Sequence, residues 1–255
     1  MTGAGLHPET VGAFFDLDGT LLAAPSLEWR LVGYLLERDE ISGAHAGRWL
    51  VRFAESCWRD LHGATDGNKQ HLCGISEALV DEWERSLTLE SCRGDALAFF
   101  IEALQRIVWH RAQRHRLFIV SGTLAPLARV AALRLSALVS VEIEVRATEL
   151  EVAASSARIW NGRIAGEHMS GGVKMRTVAE LAARYGIDLA RSYAYGDSFG
   201  DLQMLEGVGH GVAVNPTRQL AREAQRRGWQ MCAWEIAASE ISHVAVRRLA
   251  AKAVR

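Results

Sequence analysis

The chain has 255 residues, a formal net charge of -1, and 49% apolar and 23% charged side chains. That balance argues against both a disordered polymer and a membrane-embedded protein, and the lack of a basic excess argues against nucleic acid as a main partner. No apolar run approaches the roughly 20 residues a bilayer demands, and Met1 to Thr10 lacks the charged-then-apolar pattern of a leader, so a cytoplasmic protein is expected.

In chain order, the first predicted element is Val11 to Phe15. This apolar run stops at Asp16-Leu17-Asp18-Gly19-Thr20 and reads as a buried strand ending in a polar loop. The residues before the next strand number about a hundred, far more than one crossover needs, and they read as helical. Helical periodicity runs through Leu27 to Leu36, Ala46 to Leu61, Ile75 to Leu87 and Asp95 to Gln113. The first three predict a helical insertion over 24–92, and the fourth returns the chain to a core made of 1–23 and 93–255. Within the insertion, Trp29, Tyr34, Trp49, Phe53 and Trp58 recur at loosely helical spacing and are expected mostly to form its own core, with a pocket lining as the other reading.

A second strand, Leu117 to Val120, runs into Ser121-Gly122-Thr123 and then a helical stretch from Leu124 to Leu135. Glu142 to Ile164 alternates, and Asn161-Gly162 predicts a hairpin turn in a short ribbon there. A helix over Val173 to Tyr185 precedes a strand over Ser192 to Tyr195, which ends in Gly196-Asp197-Ser198. A strand over His210 to Val214, a helix over Thr217 to Arg227 and a solvated helical tail from Glu235 complete the chain. The fold class is therefore α/β: a Rossmann-like parallel sheet core with helices on both faces and an inserted α-helical cap. The cysteines Cys57, Cys73, Cys92 and Cys232 form no CxxC pair and no zinc spacing, and read as ordinary reduced thiols.

Two acidic pairs carry the chemistry. Asp16 and Asp18 lie two positions apart at a strand end, so in extended backbone both side chains point into one crevice. Asp18-Gly19 is also a common turn pair. Asp197 and Asp201 follow another apolar strand and should reach the same crevice at the sheet's carboxyl edge, although Asp201 could simply cap the next helix. Carboxylates gathered this way repel one another, and a hard divalent cation such as Mg²⁺ relieves the repulsion. Ser121 and Gly122 offer a hydroxyl and open backbone N–H groups near a helix start, a phosphate-binding arrangement or a plain turn. Lys174 either offsets the negative charge of phosphate and nucleophile or is solvated surface.

In this order, Asp16-Leu17-Asp18-Gly19-Thr20, Ser121, Lys174 and Gly196-Asp197-Ser198 with Asp201 resemble the four motifs of the haloacid dehalogenase superfamily. The helical insertion, Asn68-Lys69, Leu72-Cys73-Gly74, Ala147 to Val152 and Asn161-Gly162-Arg163 look like its phosphoserine phosphatase-like branch. The resemblance implies a Mg²⁺-dependent phosphatase acting on a small phosphorylated metabolite, as a monomer or homodimer. Asp16 would be the nucleophile and Asp18 the acid and base. Asp16 and Asp197 would hold Mg²⁺ directly, Asp18 through its backbone carbonyl and Asp201 as a ligand or just behind one. Ser121, Gly122 and Lys174 would hold the phosphoryl oxygens. Transfer to an acceptor other than water, and a non-catalytic scaffold, are the competing functions. The chain departs from that branch at Pro25, where a glutamate usually meets the serine amine, and at Gly200, where asparagine is usual. Glu28, one turn on, is the candidate replacement for that glutamate. His62, His71, His110, His115 and His168 are spread without ligand spacing and receive no catalytic role.

Overall fold

Alternation of side chains along a few short apolar strands organises the molecule. The computed structural model describes residues 10–41, 43–45, 47, 69–90, 97–153 and 158–235. The strands of the main sheet are β1 (Gly12–Phe15), β2 (Arg116–Leu124), β3 (Glu144–Thr148), β6 (Tyr193–Gly196), β7 (His210–Val214) and β8 (Gln230–Cys232). They lie in the order β3-β2-β1-β6-β7-β8, all parallel. Between β3 and β6, β4 (Leu150–Val152) and β5 (Trp160–Ile164) form a separate antiparallel pair.

Both faces of the sheet are buried, because successive residues of one strand feed opposite cores. Ala13, Phe15, Leu117 and Ile119 belong to one apolar cluster, and Phe14, Phe118 and Val120 to the other. The first cluster is covered by α1 (Leu27–Glu37), α2 (Glu77–Glu90), α3 (Ile101–Ala112) and α4 (Ala125–Val139). The second is covered by α5 (Gly172–Tyr185), α6 (Leu202–Glu206) and α7 (Arg218–Arg227). In α1, the i, i+4 series Leu27, Leu31 and Leu35 is buried, and in α2 Val80, Trp83 and Leu87 do the same work. α1 and α2 thus share one core with α3 and α4. Trp29 falls off the buried stripe and is 69% exposed, so it is not part of the core expected from its spacing.

Three further expectations change. The helix predicted from Asp95 starts at Ile101, since 97–100 is extended and hydrogen-bonded to 21–23: Ala23 N–H donates to Ala98, and Phe100 N–H to Leu21. Leu124 ends β2 rather than starting a helix. Between Ser121 and Leu124 the ladder to β3 slips, giving a bulge where a loop was expected. Pro126 then sits in the first turn of α4, where its missing N–H is harmless. Finally, Glu144–Thr148 joins the main sheet, and Asn161-Gly162 lies inside β5 instead of forming the turn. Gly162 has φ 75° and packs against residue 70: a Cβ there would stand 3.0 Å from Gln70 Cα. That close approach, not a hairpin, is why glycine is required. Apart from Gly47, the helix over 46–61 lies outside the described residues, as do the tail after Glu235, Trp49, Phe53, Trp58, His62, Asn68, Cys57 and Cys92. Cys73 and Cys232 are not joined in a disulfide. No helix of the described residues is long and apolar enough to cross a membrane.

Candidate active site

The crevice lies at the carboxyl ends of β1, β2 and β6, where the connections from the neighbouring strands β1 and β6 run toward opposite edges of the sheet. Asp16 directly follows β1, and its N–H extends the ladder to the Tyr195 carbonyl at 2.9 Å. Two residues on, Asp18 is held from both sides. Its Oδ1 accepts the Leu27 N–H at 3.0 Å, at the start of α1, and its Oδ2 accepts the Thr123 hydroxyl at 2.5 Å. Asp18-Gly19 is indeed a turn, since Thr20 N–H donates to the Leu17 carbonyl across the pair. It is also a packing necessity: Gly19 has φ 84°, and a Cβ there would lie 2.4 Å from Asp197 Oδ2.

Lys174, in the first turn of α5, is 3% exposed. Its ammonium donates to Asp16 Oδ1 at 2.6 Å and to Asp201 Oδ1 at 2.5 Å. Asp201 both caps and pairs. Its Oδ2 accepts the Ser198 backbone N–H at 3.0 Å and the Ser198 hydroxyl at 2.9 Å, which fixes the loop carrying Asp197. Gly196 permits this, because a Cβ there would meet Asp201 Cβ at 2.4 Å.

The electrostatics follow from gathering carboxylates in a dry place. Burial raises the Asp16 carboxyl to about 6, against the opposing pull of Lys174. Burial, then the charges of Asp16 and Asp201, raise Asp197 to about 8. Asp18 is raised by burial too, opposed by its bonds from Thr123 and Leu27. For Lys174 burial alone would favour the neutral amine, but the Asp16 and Asp201 carboxylates outweigh it and keep the ammonium. Asp16, Asp197 and Asp201 each bring an oxygen within 4.8 Å of the others. Three carboxylates against one ammonium leave a formal surplus of two negative charges, the charge a divalent cation would balance.

The predicted residues converge. Asp16, Asp18, Ser121, Gly122, Lys174 and Asp197 line one cavity of about 240 Å³, with Asp201 buried behind it. The roles of Thr123 and His168 in this cavity, and the pairing of Glu28 with Lys69, do not follow from the sequence alone. Thr123 was within reach, because it lies two residues from Ser121 on the same strand, and its N–H and hydroxyl both meet the Ser121 hydroxyl. His168 also lines the cavity, against Gly122 and hydrogen-bonded to Thr148 at 3.1 Å. Buried Lys69 and half-buried Glu28 form an ion pair in its wall. Neither His168 nor the Glu28–Lys69 pairing has a local signal, since their partners are brought by the fold. His110 and His115 hydrogen-bond to each other on α3 and just beyond it, outside the cavity.

Residues 13–206 match the family model described as haloacid dehalogenase-like hydrolase, and the chain belongs to that family. Among relatives, it is 30% identical over 243 residues to a Mycobacterium tuberculosis protein named "Probable phosphatase Rv3661", covering 89% of this chain and 77% of that one. It is 27% identical over 240 residues to the Mycobacterium tuberculosis protein named "Phosphoserine phosphatase SerB1", covering 89% and 72%. A crystal structure of a Bordetella pertussis Tohama I protein of unknown function superposes with a TM-score of 0.67 at 26% identity, covering 88% of this chain and 99% of that one.

Proposed function

We propose that the protein is a phosphatase that hydrolyses a small-molecule phosphomonoester through an aspartyl-phosphate on Asp16. The observation that carries this reading is the Lys174 ammonium bridging Asp16 and Asp201 beside Asp197, in a cavity that also holds Asp18 and Ser121. The names of the two mycobacterial relatives agree with it.

In the first step an Asp16 carboxylate oxygen attacks phosphorus, the bond from phosphorus to the leaving oxygen breaks, and Asp18 gives that oxygen its proton. A carboxyl raised by burial suits this donor role. Leu27 and Thr123 hold it in place, so no reorientation is needed at the moment of transfer. In the second step Asp18, now a carboxylate, takes a proton from water as the water oxygen attacks phosphorus, and the bond to Asp16 breaks. Lys174 keeps Asp16 ionised against the effect of burial, and with Ser121 and Gly122 it receives the phosphoryl oxygens. Asp201 positions Lys174 and the Ser198 loop.

The donor set fits Mg²⁺: all-oxygen, buried and doubly negative in surplus. Asp16 and Asp197 would hold the ion, with the Asp18 backbone carbonyl and Asp201 in support. When bound it supplies charge neutralisation at the phosphoryl group. We assign residues 24–92 the role of a cap selecting the leaving group, over a core of 1–23 and 93–255. The test is phosphate release from an aryl phosphate and a panel of metabolite phosphates, for wild type and Asp16→Asn, with Mg²⁺ or chelator. Mg²⁺-dependent release that vanishes in Asp16→Asn supports the reading. Undiminished release by Asp16→Asn would overturn it.

A further inference from the structure

We propose that the Glu28–Lys69 ion pair is the specificity-determining wall of the leaving-group side, and that it selects a phosphomonoester whose leaving alcohol is uncharged and carries a further hydroxyl, as in a polyol or sugar phosphate. This rests on the phosphatase reading above.

Position comes first. Glu28 follows Leu27, whose N–H binds the Asp18 carboxylate at 3.0 Å, so it is tied within one residue to the group that protonates the leaving oxygen. Lys69 Nζ meets Glu28 Oε2 at 2.7 Å, and both residues line the same cavity as Asp16 and Asp18. The side chains are 7% exposed for Lys69 and 20% for Glu28. Lys69 is fixed from behind by the ribbon. It begins the turn over 70–72, where Gln70 donates to the Gly162 carbonyl at 2.8 Å and Gly74 N–H to the Trp160 carbonyl at 2.8 Å. Only glycine at 162 lets the two segments approach this closely.

Charge then decides what the wall accepts. An ammonium donates only and a carboxylate accepts only, whereas a hydroxyl does both and can bridge the pair without separating it. Among the described lining residues, Lys69 is already bonded to Glu28 and Lys174 to Asp16 and Asp201. A carboxylate or second phosphate on the leaving alcohol would reach Lys69 only by splitting its ion pair with Glu28, while facing the carboxylates of Asp16, Asp18, Asp197 and Glu28. An added ammonium would gain Glu28 only by crowding Lys69. Ser26 and Ser170 also line the cavity.

The experiment is steady-state kinetics on the full chain with Mg²⁺, using para-nitrophenyl phosphate, glycerol phosphate, a hexose phosphate and phosphoserine. Wild type is expected to favour the better of the glycerol and hexose phosphates over phosphoserine by about tenfold or more in kcat/KM. The double variant Glu28→Leu/Lys69→Met removes both charges of the pair together and so keeps the fold better than either single change, which a thermal melt checks. In it the ratio of kcat/KM for the preferred polyol or sugar phosphate to that for the aryl phosphate is expected to fall about tenfold or more, chiefly through KM. Preference for phosphoserine, or a ratio unchanged in the double variant, overturns the inference while leaving the phosphatase reading intact. Release from none of the four compounds overturns both.

Discussion

Lys174→Met keeps most of the side chain's length and deletes the ammonium bonded to Asp16 and Asp201. Two hydrogen bonds vanish, 2.6 Å to Asp16 and 2.5 Å to Asp201, and Asp201 retains only its bonds from Ser198. Removing one partner of a buried ion pair costs about 3–5 kcal/mol, mostly because the remaining charge stays desolvated and unpaired. For a chain of 255 residues, each kcal/mol moves Tm by about 2–4 °C, so the variant should melt about 6–20 °C below wild type near pH 8 in chelator. The pH dependence separates charge from packing. Asp16 is already raised to about 6 by burial and would lose the group that opposes burial. An acid whose folded value lies above its unfolded one destabilises the fold above the folded value, and the penalty fades as pH falls. The Tm deficit should therefore shrink between about pH 8 and about pH 5 in differential scanning calorimetry. A deficit equal at both ends, or none, would refute the claim that Lys174 acts as a counter-charge.

Three further outcomes follow from the same geometry. In chelator the wild type should lose stability as pH rises from about 4 to about 8, because Asp16 and Asp197 stand at about 6 and about 8 in the folded chain against 3.8 unperturbed. Added Mg²⁺ should restore on the order of a few kcal/mol near pH 8, read as Tm against pH, and a flat profile in chelator would contradict the burial argument. Gly19→Ala should weaken Mg²⁺ binding and lower stability by about 1–3 kcal/mol, since its Cβ would lie 2.4 Å from Asp197 Oδ2 on a backbone at φ 84°. Calorimetric titration and melting check it, and wild-type affinity would count against the packing role. Thr123→Val removes the hydroxyl bound to Asp18 Oδ2 and should lower kcat by roughly tenfold or more with little change in KM. A change confined to KM would place Thr123 in binding instead.

Much of the core was legible because its signals are local. Apolar runs ending in Asp16 and in Gly196-Asp197 mark strand ends, and the parallel sheet follows from their alternation with helices. The acidic pairs lie at those ends, so their convergence could be anticipated from topology. Other features depend on partners far along the chain. Glu28 and Lys69 are 41 residues apart, and the bond joining them is set by the ribbon near Gly162. Asn161-Gly162 has the composition of a turn, yet its glycine answers a steric need imposed by Gln70. Leu97 to Phe100 look helical by periodicity, but tertiary pairing with 21–23 overrides that preference. Lys174 looks like surface from its neighbours, and only its two carboxylate partners explain its burial.

The most direct test is to trap the phosphorylated enzyme. Wild type, mixed with a turned-over phosphomonoester and Mg²⁺, is quenched in acid within one turnover, digested and analysed by mass spectrometry. The account predicts one phosphoryl group on the peptide containing Asp16, in an acid-stable, base-labile acyl linkage, and none in Asp16→Asn. Turnover with the phosphoryl group on a different residue, or with no phosphorylated enzyme at any quench time together with an active Asp16→Asn, would contradict it.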